Sequence, residues 1–199
     1  MAASIRRRSS RACAAIGMAW LLGAGIPVLA VQAQELPPPA YQLAAQQAGV
    51  PSPVLYAVAL QESGAKLRDR LIPWPWTLNV AGNSERYATR AEACAGLRRA
   101  LARAPASRID AGLGQVNLGY QAHRYAVPCE LLDPYRNLAI AADILREQHL
   151  PGEDWLLAIG RYHRPAGGEA AARYRRSVHR HLTRVLGPVG SLPFVNTTP

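Results

Sequence analysis

The stretch Ser52-Pro53-Val54-Leu55-Tyr56-Ala57-Val58-Ala59-Leu60-Gln61-Glu62-Ser63 decides how this chain folds. Ser52 offers an N-cap and Pro53 suits the first helical position, so the pattern predicts a helix from about Pro53 to Ser63. At about 100° per residue, Val54, Leu55, Val58 and Ala59 share one face, and the remaining positions are nearly as apolar. A helix that is apolar all round belongs at the centre of a packed domain. Glu62 falls in the middle of that face, in the last turn. A carboxylate there must be paired, hydrogen-bonded or held neutral, unless the helix end frays and releases it to solvent. Burial raises the pKa of a Glu, and the negative end of the helix dipole acts the same way. Such a group can hold a proton near neutral pH, as a general acid must.

Outward from this helix the pattern stays mostly helical. Upstream, Leu36-Pro37-Pro38-Pro39 is stiff and leads into a short helix from about Ala40 to Ala48, stopped by Gly49. Downstream, Ile72 to Gly82 contains prolines, Trp74, Trp76 and the run Thr77-Leu78-Asn79-Val80, and reads as a loop with at most one short strand. Further helices are expected over Thr89 to Ala104, from Asp133-Pro134 to about His149, over Trp155 to His163 behind an Asp154 cap, and from about Glu169 to Leu186. The last of these places Tyr174, Val178, Leu182 and Val185 on one stripe and arginines on the other, a face expected to be solvated surface, a dedicated anion site being the alternative. No repeat or Gly/Ser linker divides residues 36 to 187. The expected fold class is therefore mainly α, a single domain with at most a very small β element.

Composition bounds the function. Of 199 residues 49% are apolar and 18% charged, the balance of one globular domain, which excludes a disordered or multi-span membrane protein. Arg6, Arg7, Arg8 and Arg11 precede an uncharged run from Ala12 to Val31, and small residues surround Ala33. Residues 1–33 read as a cleaved signal peptide; the alternative is an uncleaved anchor, for which the run is just long enough. Residues 34–187 would form the domain, and residues 188–199 a flexible tail. The formal charge of +10 then falls to about +6, because the four leader arginines leave and 19 basic face 13 acidic residues. After cleavage no stable membrane insertion is expected. A positive surface suits a polyanionic partner, and export disfavours nucleic acid, for which no binding motif is present.

Two cysteines, Cys94 and Cys129, survive in the mature chain, and an oxidising compartment predicts one disulfide, two buried free thiols being the alternative. The histidines (His123, His149, His163, His179 and His181) show no ligand spacing with each other or with cysteine, so no metal and no cofactor are expected.

Two other segments carry chemistry. Ala111-Gly112-Leu113-Gly114-Gln115-Val116-Asn117 is a glycine-rich turn with amide side chains suited to a sugar's acetamido and hydroxyl groups. It lacks the lysine and the spacing of a P-loop. Ala158-Ile159-Gly160-Arg161-Tyr162-His163 ends a helix with Tyr162 on the face of Trp155 and Ile159. Each segment alone is weak.

In this order and at these separations, QES at 61–63, GLGQVN at 112–117 and AIGRYH at 158–163 resemble the three motifs of the soluble lytic transglycosylase family. PWPWTLNVAG at 73–82 is similar to a segment of its small members that accompany conjugation and secretion machines. Gly114 stands where many members have Met, and His163 where many have Asn. The resemblance implies a lysozyme-like fold, a periplasmic location, and cleavage of the β-1,4 bond between N-acetylmuramic acid and N-acetylglucosamine in peptidoglycan. Glu62 would be the catalytic acid and then base, forming a 1,6-anhydro product without water. Tyr162 would hold the acid or the intermediate, Gln115 and Asn117 would orient the sugar, His163 would contact substrate, and Ser63 would either close the helix end or contact substrate. The implied partners are peptidoglycan glycan strands and a conjugation or secretion apparatus, with the enzyme a monomer.

The resemblance supplies one carboxylate, whereas glycoside hydrolases ordinarily use two. Asp69, Glu85 and Asp110 are the candidates for a second. One of them within about 5 to 9 Å of Glu62 would favour a hydrolytic muramidase. A non-catalytic peptidoglycan-binding component of a secretion machine is the remaining alternative.

Overall fold

The computed structural model describes residues 35–187; the expected signal peptide and tail lie outside the described residues. Among the described residues six α-helices frame two small sheets: α1 (Pro39–Ala48), α2 (Ser52–Ser63), α3 (Arg90–Leu101), α4 (Pro134–Glu147), α5 (Trp155–His163) and α6 (Gly168–Leu186). The chain is mainly helical, as expected. Among the described residues no helix is long and apolar enough to cross a membrane.

The helix boundaries follow local chemistry. Gly49 ends α1 in the left-handed region at φ 70°. Thr89 and Glu92 form a reciprocal capping box on α3. Asp133 and Asp154 accept from the Arg136 and Leu156 amides at 3.0 and 2.8 Å and so cap α4 and α5. Ser52 does not cap α2: the helix starts one residue earlier than expected, with Pro51 in the capping position and no side-chain cap. The rigid Pro51 and Pro53 set the first turn instead.

The stretch between α2 and α3 departs most from expectation. The run Thr77-Leu78-Asn79-Val80 is the short strand expected there, but the surrounding stretch adds three more strands and forms two hairpins, β1 (Gly64–Leu67) with β2 (Arg70–Pro73), and β3 (Thr77–Val80) with β4 (Asn83–Arg86). Both turns place two consecutive residues at positive φ, Arg68-Asp69 and Ala81-Gly82, the conformation that matches hairpin twist. After α3, β5 (Ile109–Ala111) and β6 (Val116–Asn117) complete a four-stranded antiparallel sheet in the order β4-β3-β5-β6.

Two apolar clusters form the core. The first surrounds α2, whose residues from Val54 to Leu60 are all buried against α1, α4 and the Tyr174, Val178, Leu182 and Val185 stripe of α6. The second lies between α3, the four-stranded sheet and the outer face of α4. Tyr162 packs against both clusters. Cys94 on α3 and Cys129 form a disulfide, their Cα atoms 5.4 Å apart, which fixes α3 to the 3-10 turn Pro128–Leu132.

Glu35 closes the domain. Its amide donates to the Val185 carbonyl at 3.0 Å, and its carboxylate accepts from the Tyr56 hydroxyl at 3.0 Å. The same carboxylate pairs with Arg184 at 3.1 Å and Arg70 at 3.6 Å. Burial first, and then the Glu35 charge, push the Tyr56 pKa up to about 12, so its hydroxyl remains a donor.

Candidate active site

Glu62 projects from the last turn of α2, half-buried, and accepts a hydrogen bond from the Tyr174 hydroxyl of α6. Its neighbour Gln61 accepts from the Ser177 hydroxyl one helical turn further along. Two side-chain bonds therefore hold the end of α2 against α6, and Glu62 does not swing out from a frayed helix. Burial pushes the Glu62 pKa up to about 7; the Tyr174 hydrogen bond works against this shift, and the charge of Asp110 adds to it. The carboxyl is poised to exchange a proton near neutral pH.

In the sequence Tyr174 reads only as part of an apolar stripe. It is buried, and desolvation together with the Glu62 charge raises its own pKa well above the phenol range, so it remains a donor. A stripe pattern shows burial but cannot show that one ring carries a hydroxyl aimed at a carboxylate.

The glycine-rich segment is tied to the end of α2 through the Ser63 hydroxyl and the Leu113 carbonyl. Gly112 has φ 82°, and a Cβ there would lie 2.2 Å from the Asn137 Nδ2. Asn137 is fully buried on α4 and acts as the keystone of the turn: its Oδ1 accepts from the Gly114 amide at 2.8 Å, and its Nδ2 donates to the Ala111 and Leu131 carbonyls at 2.9 Å each. The sequence reading missed it, although an Asn on the apolar side of an amphipathic helix is itself a sign of a buried polar task. Gly114 has no room for a side chain, since a Cβ would sit 2.6 Å from that of Ala141 and 2.9 Å from the Tyr162 hydroxyl.

The three segments singled out in the sequence do converge. Ser63 is fully buried, and its hydroxyl lies 2.8 Å from the Leu113 carbonyl and 3.0 Å from that of Ala59. It ties α2 to the glycine turn, and so cannot touch a substrate as the resemblance implies. The Tyr162 hydroxyl donates to the Gly114 carbonyl at 2.6 Å and so braces the turn, while the hydroxyl on the acid belongs to Tyr174. Gln115, at φ 47°, directs its amide N–H groups into its own turn, to the carbonyls of Gly112 at 2.8 Å and Thr77 at 3.1 Å. Asn117 donates to the Asp110 carboxylate at 2.8 Å and the Ser107 carbonyl at 3.0 Å, and its Oδ1 accepts from the Gly119 and Tyr120 amides. All its polar atoms are engaged within the protein, so it orients Asp110 and not a sugar.

Of the candidate second carboxylates, Asp110 comes to the site. Glu85 is occupied by Arg103 and Tyr87 on β4, and Asp69 sits in the exposed β1–β2 turn. Asp110 lies on β5 opposite Asn117. Burial raises its pKa, and the Asn117 hydrogen bond and His163 work in the other direction. His163 is exposed and stacks on Tyr174, with ring centroids 4.5 Å apart and planes 4° from parallel. Burial of its ring on this face lowers its pKa, opposed by Asp110, with Arg164 adding to the fall.

Glu62, Tyr174, His163, Asp110 and Asn117 thus form a connected set. It is supplied by α2, α5, α6 and two strands, and each member touches or electrostatically influences the next. The arrangement can donate and retrieve a proton at Glu62 while a second carboxyl holds a polar position nearby. Among the described residues no three His, Cys, Asp or Glu side chains converge to hold a metal ion. Compared with family models, curated proteins and solved structures, the chain matches none.

Proposed function

We propose that the protein is a lytic transglycosylase of lysozyme-like fold that cleaves the β-1,4 bond between N-acetylmuramic acid and N-acetylglucosamine in peptidoglycan. The observation that carries this reading is the Glu62 carboxyl. It is half-buried at the end of an apolar helix, held by Tyr174, and its pKa is pushed up to about 7. The protonated Glu62 gives its proton to the glycosidic oxygen as the bond to the muramyl C1 breaks. The resulting carboxylate then takes the proton of the muramyl C6 hydroxyl as O6 bonds to C1. The ring closes to the 1,6-anhydro sugar, Glu62 is protonated again, and no water is consumed. Residues 1–33 would direct export to the periplasm, and the net positive charge would favour the anionic wall. Opening the wall for a conjugation or secretion apparatus is the role that the resemblance suggests.

A second reading, hydrolysis, is favoured by Asp110, whose charge reaches Glu62 and which could orient a water. Mass spectrometry of muropeptides released from purified sacculi separates the two, because anhydro products are one water lighter. Glu62→Gln should reduce release by roughly 10²–10⁴-fold while leaving the fold intact. Undiminished release by that variant overturns the assignment of the acid, and products carrying the added water select the hydrolytic reading.

A further inference from the structure

Beside the buried stripe that includes Tyr174, the exposed side of α6 carries Arg173, Arg176 and Arg180, spaced by three and four residues so that they neighbour one another along the helix. With His163, Tyr174 and Ser177 they line an open cleft of about 510 Å³. Like charges at this spacing destabilise a helix, so an unneutralised row is a cost to the fold. Compensation by acidic groups is slight: Glu169 lies 2.9 Å from Arg176 and 3.7 Å from Arg173, a single carboxylate for both. Arg180 has no carboxylate partner among the described residues; its guanidinium donates to the Ser177 hydroxyl at 3.1 Å and the Arg176 carbonyl at 3.4 Å. Elsewhere on the helix Arg184 is matched by Glu35, and the Arg175 stem covers Gly160. Three of the five α6 arginines therefore lie along this cleft with one carboxylate between them.

The cleft adjoins the acid. Tyr174 lies in its wall and bonds Glu62, Ser177 lies in its wall and bonds Gln61, and His163 stacks on Tyr174 at its rim. An anionic group seated among the arginines would be attached to the same substrate whose glycosidic oxygen meets Glu62.

We propose that this cleft binds the carboxylates of the peptide branch that the muramyl sugar carries, making α6 the element that selects peptide-bearing strands; the proposal rests on the peptidoglycan reading above. The branch is the anionic part of the repeating unit, and planar guanidiniums match carboxylates with paired hydrogen bonds. Neutral amino-sugar polymers lack any group for this wall.

The test is a calorimetric or NMR titration of the full chain carrying Glu62→Gln, so that ligands survive. The ligands are N-acetylmuramic acid with its lactyl carboxyl capped as the methylamide, N-acetylmuramyl tripeptide, and the tripeptide with its carboxylates amidated. One charge-assisted contact supports roughly a ten-fold preference, so the tripeptide should bind about ten-fold more tightly than the capped sugar. Amidation, added salt and Arg173→Ala/Arg180→Ala should each remove that preference, and Arg173→Lys/Arg180→Lys should restore part of it. Equal affinity for sugar and tripeptide, or a preference unchanged in the double alanine variant, overturns the proposal. Cleavage by the unaltered chain of glycan stripped of peptide is measured in parallel. If it cleaves neither stripped nor intact strands, the catalytic reading fails, while the titration still decides the cleft.

Discussion

The hydroxyl of Tyr174 donates to Oε1 of Glu62 across 112 residues of sequence, so the last helix of the domain holds the acid that ends its second. This bond favours the ionised carboxylate, and the nearby Asp110 charge favours the protonated one. The Glu62 pKa is a balance between two neighbours that can be removed separately.

Tyr174→Phe removes a hydrogen bond that stabilises the anion and should raise the Glu62 pKa above about 7, moving the alkaline limb of the kcat/KM profile to higher pH. Asp110→Asn removes a repulsive charge and should move the same limb to lower pH. Profiles of both variants on one glycan substrate check the pair. Shifts in the same direction would mean that the two groups do not act on Glu62 as described.

A raised carboxyl pKa also has a stability consequence. The unfolded chain releases the Glu62 proton near 4.5 and the folded chain near 7, so the folded state binds more protons between these values. The stabilisation is fully present below about 4.5 and is lost as pH rises through about 7. Glu62→Gln avoids the loss and should be more stable than the unaltered protein at pH 8, by up to about 3 kcal/mol, with little gain at pH 4. Thermal melts at the two pH values give the answer, and an equal Tm difference at both would reject the linkage.

Reducing the Cys94–Cys129 bond opens a loop with a sequence separation of 35. In the chain-entropy model that costs roughly 3 to 4 kcal/mol, and α3 would lose its tether to the turn preceding α4. Denaturant unfolding with and without reductant should show a drop of this order, and Cys94→Ala/Cys129→Ala should reproduce it without reductant.

Asn137→Leu leaves the Gly114 amide and the Ala111 and Leu131 carbonyls without their partner. Each unsatisfied buried group costs about 1–3 kcal/mol, so this variant should be among the least stable single substitutions in the domain. Gly114→Met, the residue that the resembled family often carries, forces Ala141 and Tyr162 apart and should cost about 1–3 kcal/mol. Urea unfolding compared with glycan release shows whether the turn fails as structure before it fails as part of the site.

Much of the helical frame was legible because it rests on local signals. Gly49, Thr89, Asp133 and Asp154 bound their helices, and the buried stripe of α6 repeats at helical spacing. Apart from the Thr77–Val80 run, the strands were not legible. They are two to four residues long, too short for alternation to register, and the β1–β2 turn uses Arg68-Asp69 where a glycine or asparagine signal would have shown it. In the site, Glu62 stood out because its charge conflicts with an apolar face, and Asp110 was among three candidates that only tertiary structure could separate. Tyr174 and Asn137 were hidden for the opposite reason: each fits its helical pattern, and the task depends on a partner far away in the chain. Gln115 and Asn117 carry side chains suited to sugars, yet the Gln115 amide nitrogen already donates to two backbone carbonyls, and Asn117 is engaged by Asp110 and nearby backbone.

The Glu35 amide and the Val185 carbonyl join the two ends of the described domain, so the cover of α2 is complete only with α6 in place. α2 is buried on all sides, and one of those sides is α6, which reaches its place only when nearly the whole domain has been synthesised. Until then the most apolar helix of the domain has no complete cover and the acid has no tyrosine. A nascent chain ending before α6 should remain protease-sensitive and bind hydrophobic dyes, whereas one extended past Val185 should resist both. Activity and closure would then arrive together, so that no partly made chain carries a working acid.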